Sequence, residues 1–239
     1  MSGTLYGVGV GPGDPENMTY KAVKCIIDAD VIAVPCKNKD DSVAYKIAAG
    51  LVKDLDKKPL LEIDMPMTKD KIKLEEAFKA GADMIERCLK DGKNVAFIIL
   101  GDPCIYGTYI YIYKEIENRG YNTAIINGIP SFCAVSARLN DSLSEKDEML
   151  HIIPASYEIH DALRLPGSKI LMKAGKQMKA VKEELRAYIS ECEKSNKTVS
   201  VKMVENCSMA NERVFECVED IPEDSGYFSI IIVKEHLKQ

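Results

Sequence analysis

The first half of the chain alternates short apolar runs with segments of helical periodicity. The apolar runs are TLYGVG (4–9), DVIAVP (30–35), NVAFIIL (94–100) and YNTAIIN (121–127), and helical patterns cover 15–28, 42–51, 74–92 and 108–119. Uninterrupted apolar runs are typical of strands that are buried on both faces, as in parallel sheets. The alternation therefore predicts βαβ units around a mainly parallel sheet.

The second half repeats this pattern less regularly. Strands are predicted at 149–155, 169–175, 198–204 and 227–233, and one strong helix lies within 174–194. Several strands with a single strong helix predict a mixed sheet. We therefore predict two α/β domains, 1–127 and 128–239, with GIPS (128–131) as the hinge.

Charge and hydropathy exclude several classes of partner. The net charge of −5 comes without a basic block, which argues against a nucleic-acid partner. Apolar runs stay below the roughly 18–20 residues that a transmembrane helix needs, and the N-terminus lacks the pattern of a secretory signal. We therefore predict a cytoplasmic protein that does not bind a membrane.

The cysteines and histidines do not form a pattern typical of metal ligands. The chain has eight cysteines, none in a CxxC pair, and three histidines. Structural zinc sites need closely spaced ligand pairs, so we expect no protein-bound metal. Cysteines within apolar segments are typical of buried free thiols in a reducing compartment.

The glycine-rich segment LYGVGVGPGDP (5–15) raises the question of a phosphate-binding loop. The dinucleotide pattern G-x-G-x-x-G fails, because counting from Gly7 it ends at Pro12 and counting from Gly9 it ends at Asp14. Prolines lack the N–H groups that hold a phosphate, and the carboxylate of Asp14 repels one. The residues favour a tight strand-to-helix turn in which Asp14 caps the helix and Pro15 begins it.

A second triplet of glycine, aspartate and proline, Gly101-Asp102-Pro103, follows a predicted strand. In open α/β sheets, ligands bind beyond the carboxyl ends of the strands. Both triplets occupy such ends, so we expect them to line one cleft. A ligand without pyrophosphate, such as one that carries a cation, suits their chemistry.

The two triplets carry a resemblance to a known family. GVGPGDP (9–15) and GDPCIYGT (101–108) resemble the G-x-G-P-G-D-P and G-D-P-x-x-Y/F-G motifs of the tetrapyrrole methylases, in the same order and at similar spacing. The resemblance implies two α/β domains, a homodimer, and S-adenosylmethionine bound in a cleft between the domains.

Further stretches resemble one group within that family, which methylates carbon 20 of precorrin-2 or cobalt-precorrin-2 in cobalamin synthesis. These stretches are ADVIAVP (29–35), DMPMTKD (64–70), GIPSFCA (128–134), ILMKAG (170–175) and YFSIIIV (227–233). Three alternatives stay open: methylation at another ring carbon, a nucleotide-binding module without turnover, and a nicotinamide oxidoreductase. The broken dinucleotide pattern argues against the last.

The resemblance also implies site residues. It assigns cofactor contacts to Leu100, Gly101, Asp102, Ile105, Ser131, Phe132, Met172, Lys173, Ala174 and Cys217, the last standing where the family usually has glycine. It places Pro12, Gly13, Asp14 and Pro35 on the substrate side. Uroporphyrinogen methylases carry a proposed catalytic aspartate at the position of Pro35, so an acid–base role there does not carry over.

The implied reaction moves a methyl group from a sulfonium to a ring carbon, which then loses a proton. Asp14, Asp102 and Tyr106 are the candidate bases, and their alternative roles are a helix cap, a turn residue and a packing residue. The tetrapyrrole carries eight carboxylates. Its candidate partners are Lys37, Lys39, Lys69 and Lys173, although an isolated lysine is usually a solvated surface residue.

Overall fold

The computed structural model describes residues 2–66, 68 and 70–237. It separates into two compact units, Met1–Pro130 and Ser131–Gln239, each with its own sheet. The sequence predicts a domain boundary between residues 127 and 128, and the division between the two units lies three residues later. Lys69 and Met67, which belong to the segment DMPMTKD, lie outside the described residues.

The first unit is a parallel sheet with helices on both faces. Its strands are β1 (Thr4–Gly9), β2 (Val31–Val34), β3 (Leu60–Glu62), β4 (Val95–Ile99) and β5 (Asn122–Ile126). Its helices are α1 (Tyr20–Asp28), α2 (Val43–Leu51), α3 (Lys71–Lys90) and α4 (Tyr109–Asn118). The strand order is β3-β2-β4-β1-β5, and every pairing is parallel.

The apolar strands of this sheet face two cores. On β4, Ala96 and Ile98 pack with the α1 and α2 side, whereas Val95, Phe97 and Ile99 pack with the α3 and α4 side. Both faces are covered, so neither can be polar, and the strand sequences are continuous apolar runs. The predicted parallel sheet is confirmed.

Two local features of this unit differ from the sequence prediction. The predicted helix over 15–28 is a short 3-10 turn, Pro15–Asn17, followed by α1. Thr19 separates them because its backbone is extended (φ −67°, ψ 145°) and its hydroxyl accepts the N–H of Ala22 at 3.1 Å, which caps α1. Strand β3 was not predicted, since three residues are too few to show a period.

The second unit has a mixed sheet, as predicted. Its strands are β6 (Leu150–Pro154), β7 (Ser168–Met172), β8 (Lys197–Glu205), β9 (Arg213–Phe215) and β10 (Ser229–Leu237), in the order β6-β7-β10-β8-β9. Only β6 and β7 pair in parallel, and the other neighbours are antiparallel.

Helices of the second unit are α5 (Ser131–Arg138), α6 (His160–Leu163) and α7 (Met178–Lys194). The predicted strong helix is α7, and Met178, Val181 and Leu185 on its apolar face are buried in the core. Helices α5 and α6 and strand β9 were not predicted, because each is short and lacks a clear apolar period. Among the described residues, we find no helix that could span a membrane.

Candidate functional site

Three turns meet where β1, β4 and β5 end. These strands are neighbours in the parallel sheet, so residues 10–14, 100–107 and 127–130 follow one edge of it. We call these segments the strand-end turns. Gly11 and Gly101 exchange two backbone hydrogen bonds, of 2.8 Å from the Gly101 N–H and 3.3 Å from the Gly11 N–H. The first two turns are therefore joined directly by their backbones.

Glycines allow the three turns to approach closely. A Cβ added at Gly9 would lie 2.5 Å from the nitrogen of Gly128 and 2.6 Å from the carbonyl oxygen of Gly101. A Cβ added at Gly128 would lie 2.1 Å from that same oxygen. Side chains at these two positions are excluded by backbone atoms, so these glycines serve a close backbone approach.

Gly101 differs from those two glycines because it has room for an added atom, although the residue itself is buried. Its φ is +71°, and the nearest heavy atom to an added Cβ would be the Ile129 carbonyl oxygen at 4.0 Å. Backbone packing therefore excludes a side chain at Gly9 and Gly128 but not at Gly101. Leu100 and Ile105, on either side of the Gly101-Asp102-Pro103 triplet, are half-buried and supply apolar surface nearby.

Asp102 joins the turn after β4 to the turn after β5. Its carboxylate is buried, with 7% of the residue exposed. Oδ1 accepts the N–H of Cys104 at 2.7 Å, and Oδ2 accepts the N–H of Gly128 at 3.0 Å and the side-chain amide of Asn127 at 3.2 Å. The sequence analysis placed Gly128 in the hinge but did not assign it or Asn127 to the site, although an Asn-Gly pair directly after an apolar strand indicates a turn.

Asp14 lies in the turn after β1 and caps the short 3-10 turn. One of its carboxylate oxygens accepts the N–H of Glu16 at 2.9 Å. Pro12 is buried, whereas Gly13 and Asp14 are half-buried. The capping geometry expected from the sequence is present, and the proposed contact of these residues with a substrate stays a prediction.

Tyr106 is the third candidate base, on the turn after β4. Its φ is +50°, which is uncommon for a bulky residue, and 45% of it is exposed. Its neighbour Gly107 is needed where the turn closes, because an added Cβ would lie 2.7 Å from the carbonyl oxygen of Pro103. The turn thus presents an aromatic side chain to solvent on a tightly folded backbone.

The predicted substrate residues near β2 lie farther along the sheet edge. Pro35 directly follows β2 and is half-buried. Lys37 forms an ion pair with Asp64 at 3.1 Å, and the Lys39 ammonium lies 5.6 Å from the centre of the Tyr45 ring. Both lysines thus have partners within the first unit.

The remaining predicted cofactor residues belong to the second unit. Ser131 and Phe132 begin α5, Met172 ends β7, and Lys173 and Ala174 directly follow that strand. Lys173 has a φ of +61°, and its burial lowers the pKa of its ammonium. Cys217 is exposed, and its thiol donates to Asp220 at 3.1 Å. The cofactor contacts assigned to these residues stay predictions.

The residues at the strand-end turns do not form a metal centre. Within the described ranges, we find no group of three or more His, Cys, Asp and Glu side chains that could hold a metal ion. All eight cysteines are free thiols. Burial raises the pKa of the half-buried Cys25 to about 11, so that thiol stays protonated near neutral pH.

Several solved methyltransferases share the fold of this chain. A cobalt precorrin-4 methyltransferase has a TM-score of 0.70 and 22% identity, covering 97% of this chain and 94% of that one. A uroporphyrin-III C-methyl transferase from Thermus thermophilus, complexed with S-adenosylhomocysteine, has a TM-score of 0.69 and 17% identity, covering 97% of both chains. These similarities establish the fold.

Sequence comparison identifies the family. The model of the Tetrapyrrole (Corrin/Porphyrin) Methylases matches residues 4–221, so this chain belongs to that family, as predicted. A probable cobalt-precorrin-2 C(20)-methyltransferase of Methanocaldococcus jannaschii is 33% identical, covering 96% of this chain and 95% of the relative. A precorrin-2 C(20)-methyltransferase of Sinorhizobium sp. is 30% identical, covering 97% and 95%. The predicted class of enzyme, a methyltransferase, is confirmed.

Proposed function

We propose that this protein methylates carbon 20 of precorrin-2 or cobalt-precorrin-2 in cobalamin biosynthesis, with S-adenosylmethionine as methyl donor. One observation carries the proposal: relatives named for this reaction match nearly the whole chain, and nearly the whole of their own length, at 30–33% identity. A third, the cobalt-precorrin-2 C(20)-methyltransferase of Salmonella typhimurium, is 26% identical over 98% of both chains.

The strand-end turns suit S-adenosylmethionine better than a dinucleotide. Pro12 and Pro15 remove N–H groups that a pyrophosphate needs, but S-adenosylmethionine carries no phosphate. Gly101 is buried but has room for an added atom, and the half-buried Leu100 and Ile105 on the same turn offer apolar contact. When bound, the cofactor supplies a methyl group on a cationic sulfur.

We propose that the residues of the chain act mainly by orientation. A sulfonium is already an activated methyl donor, so holding the ring carbon in line with it accounts for most of the required acceleration. Apolar side chains such as Ile105 exclude water from the reacting atoms. For the proton that the ring carbon then loses, Tyr106 is the candidate with the most exposed side chain among the three considered.

We also propose that the protein works as a homodimer in the cytoplasm. The homodimer follows from the family resemblance. Eight free cysteines support a reducing compartment. Size-exclusion chromatography with light scattering tests the dimer.

Calorimetry and NMR test the function. We expect S-adenosylhomocysteine to bind and NAD not to bind. With ¹³C-methyl S-adenosylmethionine, we expect carbon-13 NMR to find the new methyl on carbon 20 of precorrin-2, of its cobalt complex, or of both. A methyl group on another carbon would identify a different ring methylase. Cofactor binding without methyl transfer to either substrate would identify a nucleotide-binding module.

A matched pair of variants tests the cofactor's location. Gly101→Ala and Gly120→Ala each place a side chain at positive φ, +71° and +82°, without a clash: the nearest atom to the added Cβ is the Ile129 carbonyl oxygen at 4.0 Å at Gly101, and nothing lies within 4 Å at Gly120. Their backbone strain is therefore alike, but Gly120 lies beyond α4, away from the strand-end turns. We expect Gly101→Ala to weaken S-adenosylhomocysteine binding about tenfold or more, and Gly120→Ala to leave it unchanged. Equal affinities would place the cofactor elsewhere.

A further inference from the structure

Asp102 stands in the family's second motif, and its carboxylate faces inward. Its two oxygens accept three hydrogen bonds from residues 2, 25 and 26 positions away along the chain. We propose that Asp102 is a positioning residue that holds the turn after β4 (residues 100–107), which we call the cofactor loop, on the end of β5, and that it is not the base of the reaction. This inference rests on the proposed function.

The carboxylate satisfies donors that no local turn could satisfy. Gly128 is buried, and an unpaired buried N–H is costly, so its bond to Oδ2 matters more than an exposed one would. Oδ1 closes the turn on the same loop through Cys104. One side chain therefore sets both the shape of the turn after β4 and its distance from the turn after β5.

That distance is constrained by contacts between backbones. The Gly101 carbonyl oxygen packs against Gly9 and Gly128, where an added Cβ would approach it within 2.6 Å and 2.1 Å. A loop released by Asp102 would move away from this packing. Gly101 and Ile105, which we propose as cofactor contacts, are carried by that loop and would move with it.

The same geometry argues against a base. A general base must come within about 3 Å of the proton it removes. Asp102 is 7% exposed, and each oxygen is directed to donors of the turns themselves. Removing Asp102 should therefore change how well the cofactor binds more than how fast a bound complex reacts.

Asp102→Asn tests this role with a side chain of the same shape. The N–H groups of Cys104 and Gly128 point at different oxygens of the carboxylate, and an amide has an oxygen at only one of those two positions, so one of the two N–H groups would face the NH₂ group instead. Asn127 can rotate its amide to suit the new NH₂ group, but the N–H of Gly128 cannot. Asn127→Ala removes one donor and leaves Asp102 in place, which gives a milder version of the same change.

Asp30→Asn is the matched control. The Asp30 carboxylate also ties the backbone of one strand to another, since it accepts the N–H of Asn94 at 2.8 Å. This bond lies where β4 begins, at the opposite edge of the sheet from the strand-end turns. Asp30→Asn thus changes a similar bond in the same sheet without touching the cofactor loop.

We expect Asp102→Asn to raise the Kd for S-adenosylhomocysteine and the KM for S-adenosylmethionine about tenfold, because the binding-competent loop is then only partly populated. The kcat at saturation should stay within about threefold, and its pH dependence should keep its shape. Amide hydrogen exchange at Cys104 and Gly128 should accelerate. Asn127→Ala should show smaller changes in the same direction, and Asp30→Asn should show none.

Several results would overturn the inference. A kcat lower by about 10²–10⁴ with unchanged KM and a lost limb of the pH profile would make Asp102 the base. Equal affinity for S-adenosylhomocysteine and equal amide hydrogen exchange in Asp102→Asn and Asp30→Asn would make Asp102 an ordinary turn residue. If Asp102→Asn does not fold, Asn127→Ala replaces it, and wild-type affinity in Asn127→Ala would lead to the same conclusion. A wild-type protein that binds no S-adenosylhomocysteine would refute the proposed function and this inference together.

Discussion

The two units bury polar side chains in opposite ways. In the first, Asp102 accepts from two backbone N–H groups and one amide, all neutral donors. In the second, Glu235 meets Lys169, Lys197 and Tyr188, which we call the charge cluster. Lys169 donates to Tyr188 at 2.9 Å and also to Glu235, and Lys197 reaches Glu235 at 2.9 Å.

In the charge cluster, the pKa values of Glu235 and Tyr188 are shifted from their ordinary values. Burial alone would raise the pKa of Glu235, but hydrogen bonds from Lys169, Tyr188 and Lys197 outweigh it and lower that pKa to about 2. Burial, and then the bond to Glu235, raise the pKa of Tyr188. Perturbed ionisation often marks functional sites, although ion-pair networks also produce it.

The two regions differ in what their polar groups hold together. In the charge cluster, the fully buried Lys169 is held by Tyr188 and Glu235, and the partly exposed Lys197 reaches the same carboxylate. At the strand-end turns, Asp102 joins backbone segments next to Gly101, which has room for an added atom. We therefore expect the charge cluster to act in stability and, on the proposed function, the strand-end turns to act in binding. The following four predictions test that contrast.

The largest effect is expected from Gly128→Ala. Its Cβ would lie 2.1 Å from the Gly101 carbonyl oxygen, and backbone atoms cannot yield as a flexible side chain can. We expect the free energy of unfolding in urea to fall by about 3 kcal/mol or more, with S-adenosylhomocysteine binding lost. Gly120→Ala, in open space, should lose only about 1 kcal/mol through its positive φ. Similar losses in both would contradict the close packing of the turns.

Lys169→Met should come next. It leaves the half-buried Glu235 with Lys197 as its remaining cation, and breaking the ion pair of the fully buried Lys169 should cost about 3 kcal/mol. Urea unfolding should show that loss, and adding Glu235→Leu should recover part of it. Affinity for S-adenosylhomocysteine should not change; a change would mean that the charge cluster takes part in binding.

The pH dependence of stability should depend on Glu235. Its folded pKa lies below its ordinary value of 4.5, so the stability it contributes is complete above 4.5 and is lost as pH falls through 4.5 toward about 2. Glu235→Gln should lower stability at pH 7 and flatten this acid loss, whereas Glu193→Gln, at an exposed site on α7, should keep it. Parallel acid curves for wild type and Glu235→Gln would refute the role of this carboxylate.

The smallest effect is expected at Asp14. Asp14→Ala removes the acceptor for the Glu16 N–H and should cost about 1 kcal/mol in urea unfolding. Asp14→Asn keeps an acceptor oxygen and should cost less. If Asp14→Asn instead lowers kcat about 10²-fold or more with unchanged stability, Asp14 is the base.

Local sequence patterns predicted the long elements and the nature of both sheets. Phe97 and its neighbours on β4 form a continuous apolar run because both faces are covered, and α7 shows its buried face at helical spacing. The short elements were missed because three to eight residues hold too little periodicity. The break at Thr19 was missed because helical spacing of apolar residues continues across it.

The alternating α/β architecture, the cap at Asp14 and the unsuitability of the first turn for phosphate can be predicted from the chain alone, since each depends on neighbouring residues. The packing of Gly9, Gly101 and Gly128 and the hydrogen bonds of Asp102 to Asn127 and Gly128 become visible only in the folded structure. Those contacts depend on β4, β1 and β5 lying side by side. That order is set by long-range packing and is not encoded in the local sequence of any strand.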